Sequence, residues 1–301
     1  MTEKLQPACG FLNLLKPPGM TSAHAVGVAR RALGGVKAGH AGTLDPQAAG
    51  VLPLMIGKAA RLFDLLQDKE KEYIAEVAFG AATDTQDAQG VVTETGENYP
   101  GEADILAMLP RFTGALMQRP PMVSALKVDG QRLYDVARRG GTVEIAPREV
   151  TVRELTLLQR MPEHGALLRV RCTKGFYVRT LCHDLGQALG CPAHTRFLLR
   201  TQSGPFTLAT AVTLEQLQTA AQGGAAAALL LPMEAAVGHV PMAEVPPALE
   251  KPFRNGVPLP ASAFAGELPP DTPLRLYLHG QLTAIGQRRG ETVTFQTWLG
   301  D

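Results

Sequence analysis

The sequence predicts an α+β protein, a body of strands and helices followed by a small C-terminal β module. Two periodicities and the composition carry this. Tyr73, Ala75, Val77 and Phe79 alternate with Ile74, Glu76 and Ala78 at a strand's period of two, whereas Ala25, Val28, Ala29 and Leu33 recur at helical spacing. The chain is 301 residues long, 45% hydrophobic and 19% charged. Compact-protein scaling at that size buries roughly three quarters of the unfolded surface, so a core forms without staples.

The elements follow in order. Phe11 to Leu15 is a short apolar run stopped by Lys16-Pro17-Pro18-Gly19. Thr21 or Ser22 can cap a helix to about Leu33, which Gly34-Gly35 ends. Val36 to Pro46 reads as an ordered loop, followed by the apolar run Val51 to Ile56 and a helix over Lys58 to Gln67. After the Tyr73–Phe79 strand come a turn over 82–90, a short extended run from Val91 to Glu94 and a helix from Ala103 to Leu109. Ser124 to Val150 is a basic, glycine-punctuated insertion around one helix, Leu133 to Arg139. Strands are expected at Val150–Leu158 and Ala166–Cys172, and a Thr173-Lys174-Gly175 turn leads into a helix from Val178 to Leu189. Thr213-Leu214-Glu215-Gln216 fits a capping box opening a further helix. Pro-rich residues 241–260 read as a linker, and Leu274–Leu278 and Val293–Trp298 as strands of the terminal module.

Several chemistries are argued against. No GxxxxGK[ST] or GxGxxG loop occurs, which speaks against nucleotide hydrolysis and dinucleotide redox. Cys182-His183 and Cys191-x2-His194 fit no zinc pattern, because helix neighbours point about 100° apart. Four cysteines are too few for a disulfide framework in this length. No run reaches the roughly 18 apolar residues of a membrane span, and Met1 to Gly10 lacks a signal-peptide core, so a cytoplasmic protein without membrane contact is expected.

The densest unusual cluster is Gly39-His40-Ala41-Gly42-Thr43-Leu44-Asp45-Pro46. Asp45 has two readings. It can make an Asx turn before Pro46, or, beside a histidine and glycines that admit close backbone approach, serve as a nucleophile or acid–base group. A working carboxylate in a pocket must stay ionised against desolvation, and an arginine fork is its natural partner. Arg179, at a helix start, is the candidate, with a surface role as the alternative. Tyr73 offers a stacking face and a hydroxyl, or simply packs as a strand tyrosine.

Five segments together resemble the TruB family of bacterial tRNA pseudouridine synthases, over most of the chain. They are Gly10-Phe11-Leu12-Asn13-Leu14-Leu15-Lys16-Pro17-Pro18-Gly19-Met20-Thr21-Ser22, the Gly39–Pro46 loop, Lys71-Glu72-Tyr73, Pro121 to Gly130 with Ser124-Ala125-Leu126-Lys127, and Lys174 to Thr180. The resemblance implies a mixed, mainly antiparallel central sheet flanked by helices, the pseudouridine synthase fold, over 1–240, and a PUA-like module over 241–301. It implies that Asp45 is catalytic, that Arg179 pairs with it and that Tyr73 stacks on the target uracil. It further implies that His40 enters the RNA loop, that Leu198 walls the pocket, that Lys16 and Lys127 bind substrate, and that 124–150 clasps RNA. The implied reaction isomerises the uridine at position 55 in the TΨC loop of tRNA, by base flipping and C5-to-C1′ re-attachment. No cofactor, no metal and no obligatory protein partner is implied, and the chain is expected to be a monomer. A non-catalytic RNA-binding or RNA-folding protein and a guide-RNA-dependent synthase are the competing readings.

Net charge is only +1, which looks unfavourable for an RNA partner. The total hides a cancellation. Residues 1–60 hold 6 basic and 2 acidic side chains (+4), 61–126 hold 5 and 11 (−6), 127–200 hold 13 and 7 (+6), and 201–301 hold 5 and 8 (−3). The two basic blocks carry Asp45's loop and Arg179, so they are expected to face phosphates, and binding to weaken with salt.

Overall fold

A computed structural model describes residues 8–66, 70–122, 124, 127–128, 131–132, 141, 143 and 145–300. In chain order the strands of the first part are β1 (Gly10–Lys16), β2 (Ala38–His40), β3 (Ala49–Ile56), β4 (Lys71–Phe79), β5 (Ala81–Thr83), β6 (Val92–Thr95), β7 (Gly114–Gln118), β8 (Lys127–Val128) and β9 (Gln131–Arg132). They continue as β10 (Arg148–Met161), β11 (Gly165–Cys172), β12 (Ala193–Ser203) and β13 (Phe206–Thr207). The main helices are α1 (Ser22–Ala32), α2 (Glu102–Met108), α3 (Val178–Ala188) and α4 (Leu214–Gln222).

Nine strands make one sheet in the order β1-β3-β12-β4-β11-β10-β7, with β2 added to β3 and β13 to β12. The β3–β12 pair is parallel and the other pairs are antiparallel. That is the mixed, mainly antiparallel sheet expected. Its two faces are buried by different partners at the β1–β3 end, which explains why those runs are apolar without alternation. Leu12, Leu14, Leu52 and Leu54 face the cluster that includes Ala25 and Ala29 of α1 and Leu181 and Leu185 of α3. Phe11, Val51 and Met55 point the other way, against Val237, Leu282, Ile285 and Leu299.

The last-named residues belong to the C-terminal part. There β14 (Met242–Glu244), β15 (Leu259–Pro260), β16 (Pro273–Leu278), β17 (Gln281–Arg289) and β18 (Thr292–Trp298) form a five-stranded sheet in the order β14-β16-β17-β18-β15. It has a core of its own around Phe253, Leu274, Leu276 and Val293. The expected linker over 241–260 is therefore corrected. Pro246, Pro247, Pro252 and Pro258 sit between β14 and β15, and the short helix Glu250–Arg254 among them buries Phe253.

Local chemistry explains the element ends. Thr21 caps α1 by accepting the N–H of His24 at 3.1 Å, and Thr213 and Gln216 close the reciprocal capping box of α4. Lys58–Gln67 is not an α-helix. Gly57–Leu65 is a 3₁₀ helix, whose buried Ala59 and Leu62 lie three apart, one turn of that tighter spiral. The loop over 36–46 contains the short strand β2, and β7 and β12 were not anticipated at all. The expected helix over Leu133 to Arg139 lies outside the described residues.

Candidate active site

Asp45 follows β2 in the loop leading to β3. Its carbonyl accepts the N–H of Ala48 at 3.1 Å, so Asp45-Pro46-Gln47-Ala48 closes a turn with proline in its second position. The side chain is used elsewhere. Asp45 Oδ2 lies 2.9 Å from Nε of Arg179, the second residue of α3. Arg179 is 5% exposed and Asp45 38%, so a sealed cation meets an open carboxylate. The same guanidinium donates from Nη1 to the carbonyl of Thr85 at 2.9 Å and lies 3.6 Å from Asp87 Oδ2.

Both members of the pair are held by the same device. Ser22 Oγ accepts the N–H of Leu44 and donates to its carbonyl, both at 2.9 Å, and so clamps the residue before Asp45. Gln118, at the end of β7, accepts the N–H of Tyr177 at 2.8 Å and donates to its carbonyl at 3.0 Å, two residues before Arg179. Each clamp bonds both backbone groups of one residue, although the Tyr177 carbonyl also accepts the N–H of Leu181 at 3.1 Å. Gly175, with φ +86°, supplies the left-handed turn that brings the chain from β11 into α3.

Tyr73 and Leu198 complete the pocket. They sit on neighbouring strands, Leu198 opposite Ala75 and Arg200 opposite Tyr73, which places all four on one face of the sheet. A cavity of about 290 Å³ is lined by Gly42, Asp45, Tyr73, Tyr177, Arg179 and Leu198 among others. A second, of about 190 Å³, shares Asp45, Arg179 and Leu198 and extends to Gln47, Asp87 and the exposed Phe197. Tyr73 is 7% exposed, and burial pushes its hydroxyl up to about 12, with the nearby Arg200 guanidinium opposing the rise.

The remaining expected residues fall in different places. His40 ends β2 opposite Leu54, half-buried, and lines neither cavity. Burial, assisted by Arg200, lowers its pKa, so the ring is neutral at neutral pH. Lys16 corrects its expected role. It is 0% exposed, and its ammonium donates to the carbonyls of Pro17 at 2.8 Å, Met20 at 2.7 Å and Pro46 at 3.0 Å. With all three protons committed to backbone, Lys16 ties β1 to the turn after Asp45 and offers nothing to a ligand. Desolvation lowers its pKa to about 8, partly offset by Asp45. The side chain of Lys127 lies outside the described residues.

Arg200 was missed, as were Ser22 and Gln118 in their clamping roles. Arginine in a strand reads as surface, and only the placement of β12 at the centre of the sheet reveals it as interior. The basic block of 127–200 is also less free than its count suggests. Arg153, Arg169 and Arg171, on β10 and β11, pair with Glu154 of β10 and with Glu70, the residue before β4, at 2.7–3.8 Å. Among the described residues no group of three or more His, Cys, Asp or Glu side chains is arranged to hold a metal.

The sequence matches the TruB family pseudouridylate synthase N-terminal domain over residues 30–178 and the tRNA pseudouridylate synthase B C-terminal domain over 179–238. It is 52% identical over 239 residues to a tRNA pseudouridine synthase B of Symbiobacterium thermophilum, spanning 78% of both chains. Identity to the protein of the same name from Geobacillus thermodenitrificans is 45% over 266 residues, 86% of this chain and 88% of that one. Among solved structures it superposes on a chain of a Cbf5-Nop10-Gar1 complex with a TM-score of 0.71 and 27% identity, covering 97% of this chain and 84% of the other. With Asp45, Arg179 and Tyr73 on one cavity and relatives this similar over most of their length, the chain belongs to the TruB family of pseudouridylate synthases.

Proposed function

We propose that the protein isomerises a uridine of the TΨC loop of tRNA to pseudouridine, with Asp45 as the catalytic carboxylate. The observation that carries this is the Asp45–Arg179 pair. An open carboxylate is held at 2.9 Å by a sealed guanidinium, on a cavity that also presents the Tyr73 ring and Leu198. The reaction breaks the N1–C1′ bond, turns the uracil, joins C5 to C1′ and releases the C5 proton while N1 gains one. Substrate and product have the same composition, so no redox partner or energy source is consumed. Asp45 serves by attack at C1′, by addition to the base, or by assisting elimination to a glycal-like intermediate, and in each course it must be ionised. Arg179 holds the carboxylate at 2.9 Å without entering the reaction.

The target base has to leave its stack, at a cost of a few kcal/mol that pocket contacts offset. Tyr73 offers the stacking face and Leu198 the opposite wall. A neutral His40 can enter the vacated loop without desolvating a charge. Lys127 and the 124–150 insertion bind the RNA backbone. The chain acts as a cytoplasmic monomer without guide RNA or partner, with a catalytic unit over 1–240 and a PUA-like module over 241–301. The test compares unmodified tRNA with the same transcript carrying cytidine at position 55. Pseudouridine should form in the first alone, and formation in the second would overturn the site assignment.

A further inference from the structure

Arg200 is the largest of the fully buried side chains and forms no ion pair with a carboxylate among the described residues. A buried cation without a direct counter-charge is expensive, so its position needs a reason. Its backbone sits between the two strands that carry the chemistry. Arg200 is opposite Tyr73 on β4 and opposite Gly50 on β3, the strand that follows Asp45's loop. The approach to β3 is so close that a Cβ on Gly50, whose φ is +117°, would lie 2.2 Å from the Arg200 carbonyl oxygen.

The guanidinium then reaches across the loop. Nη2 donates to the carbonyl of Gly42 at 3.3 Å, Nη1 to that of Thr43 at 3.2 Å, and Nε to that of Val51 at 2.7 Å. These carbonyls bracket Asp45 in sequence on both sides. The charge also faces the Tyr73 hydroxyl and bears on Lys16 and His40. One planar fork thus ties both arms of the aspartate loop to β12, beside the strand carrying the stacking tyrosine. A lysine has three donors against the five of a guanidinium, and no fixed fork.

We infer that Arg200 is the positioning residue that sets Asp45 relative to Tyr73, without touching the substrate. The inference rests on the proposed isomerisation. It predicts that removing the guanidinium slows chemistry and spares tRNA binding, because a misplacement of about 1 Å at the reacting groups costs on the order of 100-fold in rate. The experiment uses the full chain with Arg200→Met and Arg200→Lys, melting curves as a folding control, tRNA affinity by filter binding, and single-turnover pseudouridine formation at saturating enzyme. Arg200→Met should lose about 100-fold in the single-turnover rate with affinity within about threefold, and Arg200→Lys should recover part of the rate. A rate within about threefold of wild type in folded Arg200→Met, or a loss explained by affinity, overturns the inference. If Met prevents folding, the lysine variant decides by the same two measurements. If neither folds, Arg200 is a folding residue and the inference fails. An inactive wild-type chain would instead defeat the isomerisation reading, so the two failures are distinct.

Discussion

Arg179 meets Asp45 at 2.9 Å from inside the protein, while Asp45 itself stays open to the cavity. The asymmetry matters. Because the cation is fixed by the Thr85 carbonyl and by Asp87, it cannot follow a moving carboxylate. The ion pair therefore sets the orientation of Asp45. Removing the Asp45 carboxylate leaves the buried guanidinium held by Asp87 and the Thr85 carbonyl, whereas removing the guanidinium leaves the open carboxylate without its anchor.

Asp45→Asn keeps size and polarity but removes the reacting charge. It should abolish pseudouridine formation and leave tRNA affinity within about threefold, as measured by filter binding, because phosphate contacts supply most of the affinity. Near-normal turnover would remove Asp45 from the chemistry.

Arg179→Lys retains charge without the planar fork. It should reduce the single-turnover rate by about 100-fold or more, since a lysine cannot reach Asp45, Asp87 and the Thr85 carbonyl in one geometry. An unchanged rate would show that charge alone suffices.

The Ser22 clamp predicts a stability effect and a rate effect together. Ser22→Ala strands the N–H and carbonyl of Leu44, both buried, at a cost of about 1–3 kcal/mol in chemical denaturation. The rate should fall with it, because Leu44 adjoins Asp45. Loss of stability with full activity would mean that the loop's position is set elsewhere.

Lys16 gives a pH prediction whose sign is fixed. Its folded pKa is about 8 against 10.5 in the unfolded chain, so the unfolded state binds more protons between those values. Stability from this group therefore rises with pH from about 8 to about 10.5. The gap corresponds to on the order of 3 kcal/mol. Buried tyrosine and cysteine groups titrate nearby in the opposite sense, so the comparison is with Lys16→Met. Wild type should gain relative to the variant as pH rises from 8, and a flat difference would place the ammonium in a solvated setting.

Much of this architecture was legible in the sequence. The caps at Thr21 and Thr213 and the β4 alternation appear in the structure as expected, and the Asp45 loop does so apart from the strand β2 within it. β12 did not show itself, because bulges between Thr195 and Phe197 and between Arg200 and Gln202 break its period of two. A buried arginine in the middle then completes the disguise. Arg200 and Lys16 are polar groups made interior by backbone carbonyls, and no spacing rule reports that. The charge count misled in the other direction. Arg30, Arg31 and Lys37 are exposed, but the strand arginines 153, 169 and 171 are paired with glutamates. Salt should still weaken tRNA binding, with a slope set mainly by the unpaired basic side chains.

The central claim is that this chain alone converts a tRNA uridine through Asp45. Release of tritium from tRNA labelled at uridine C5, incubated with the purified chain and nothing else, tests it most directly. Wild type should release the C5 label to water until about one equivalent per tRNA has been lost, and Asp45→Asn at equal tRNA occupancy should release none. No release from the folded wild-type chain, or equal release from the asparagine variant, would contradict it.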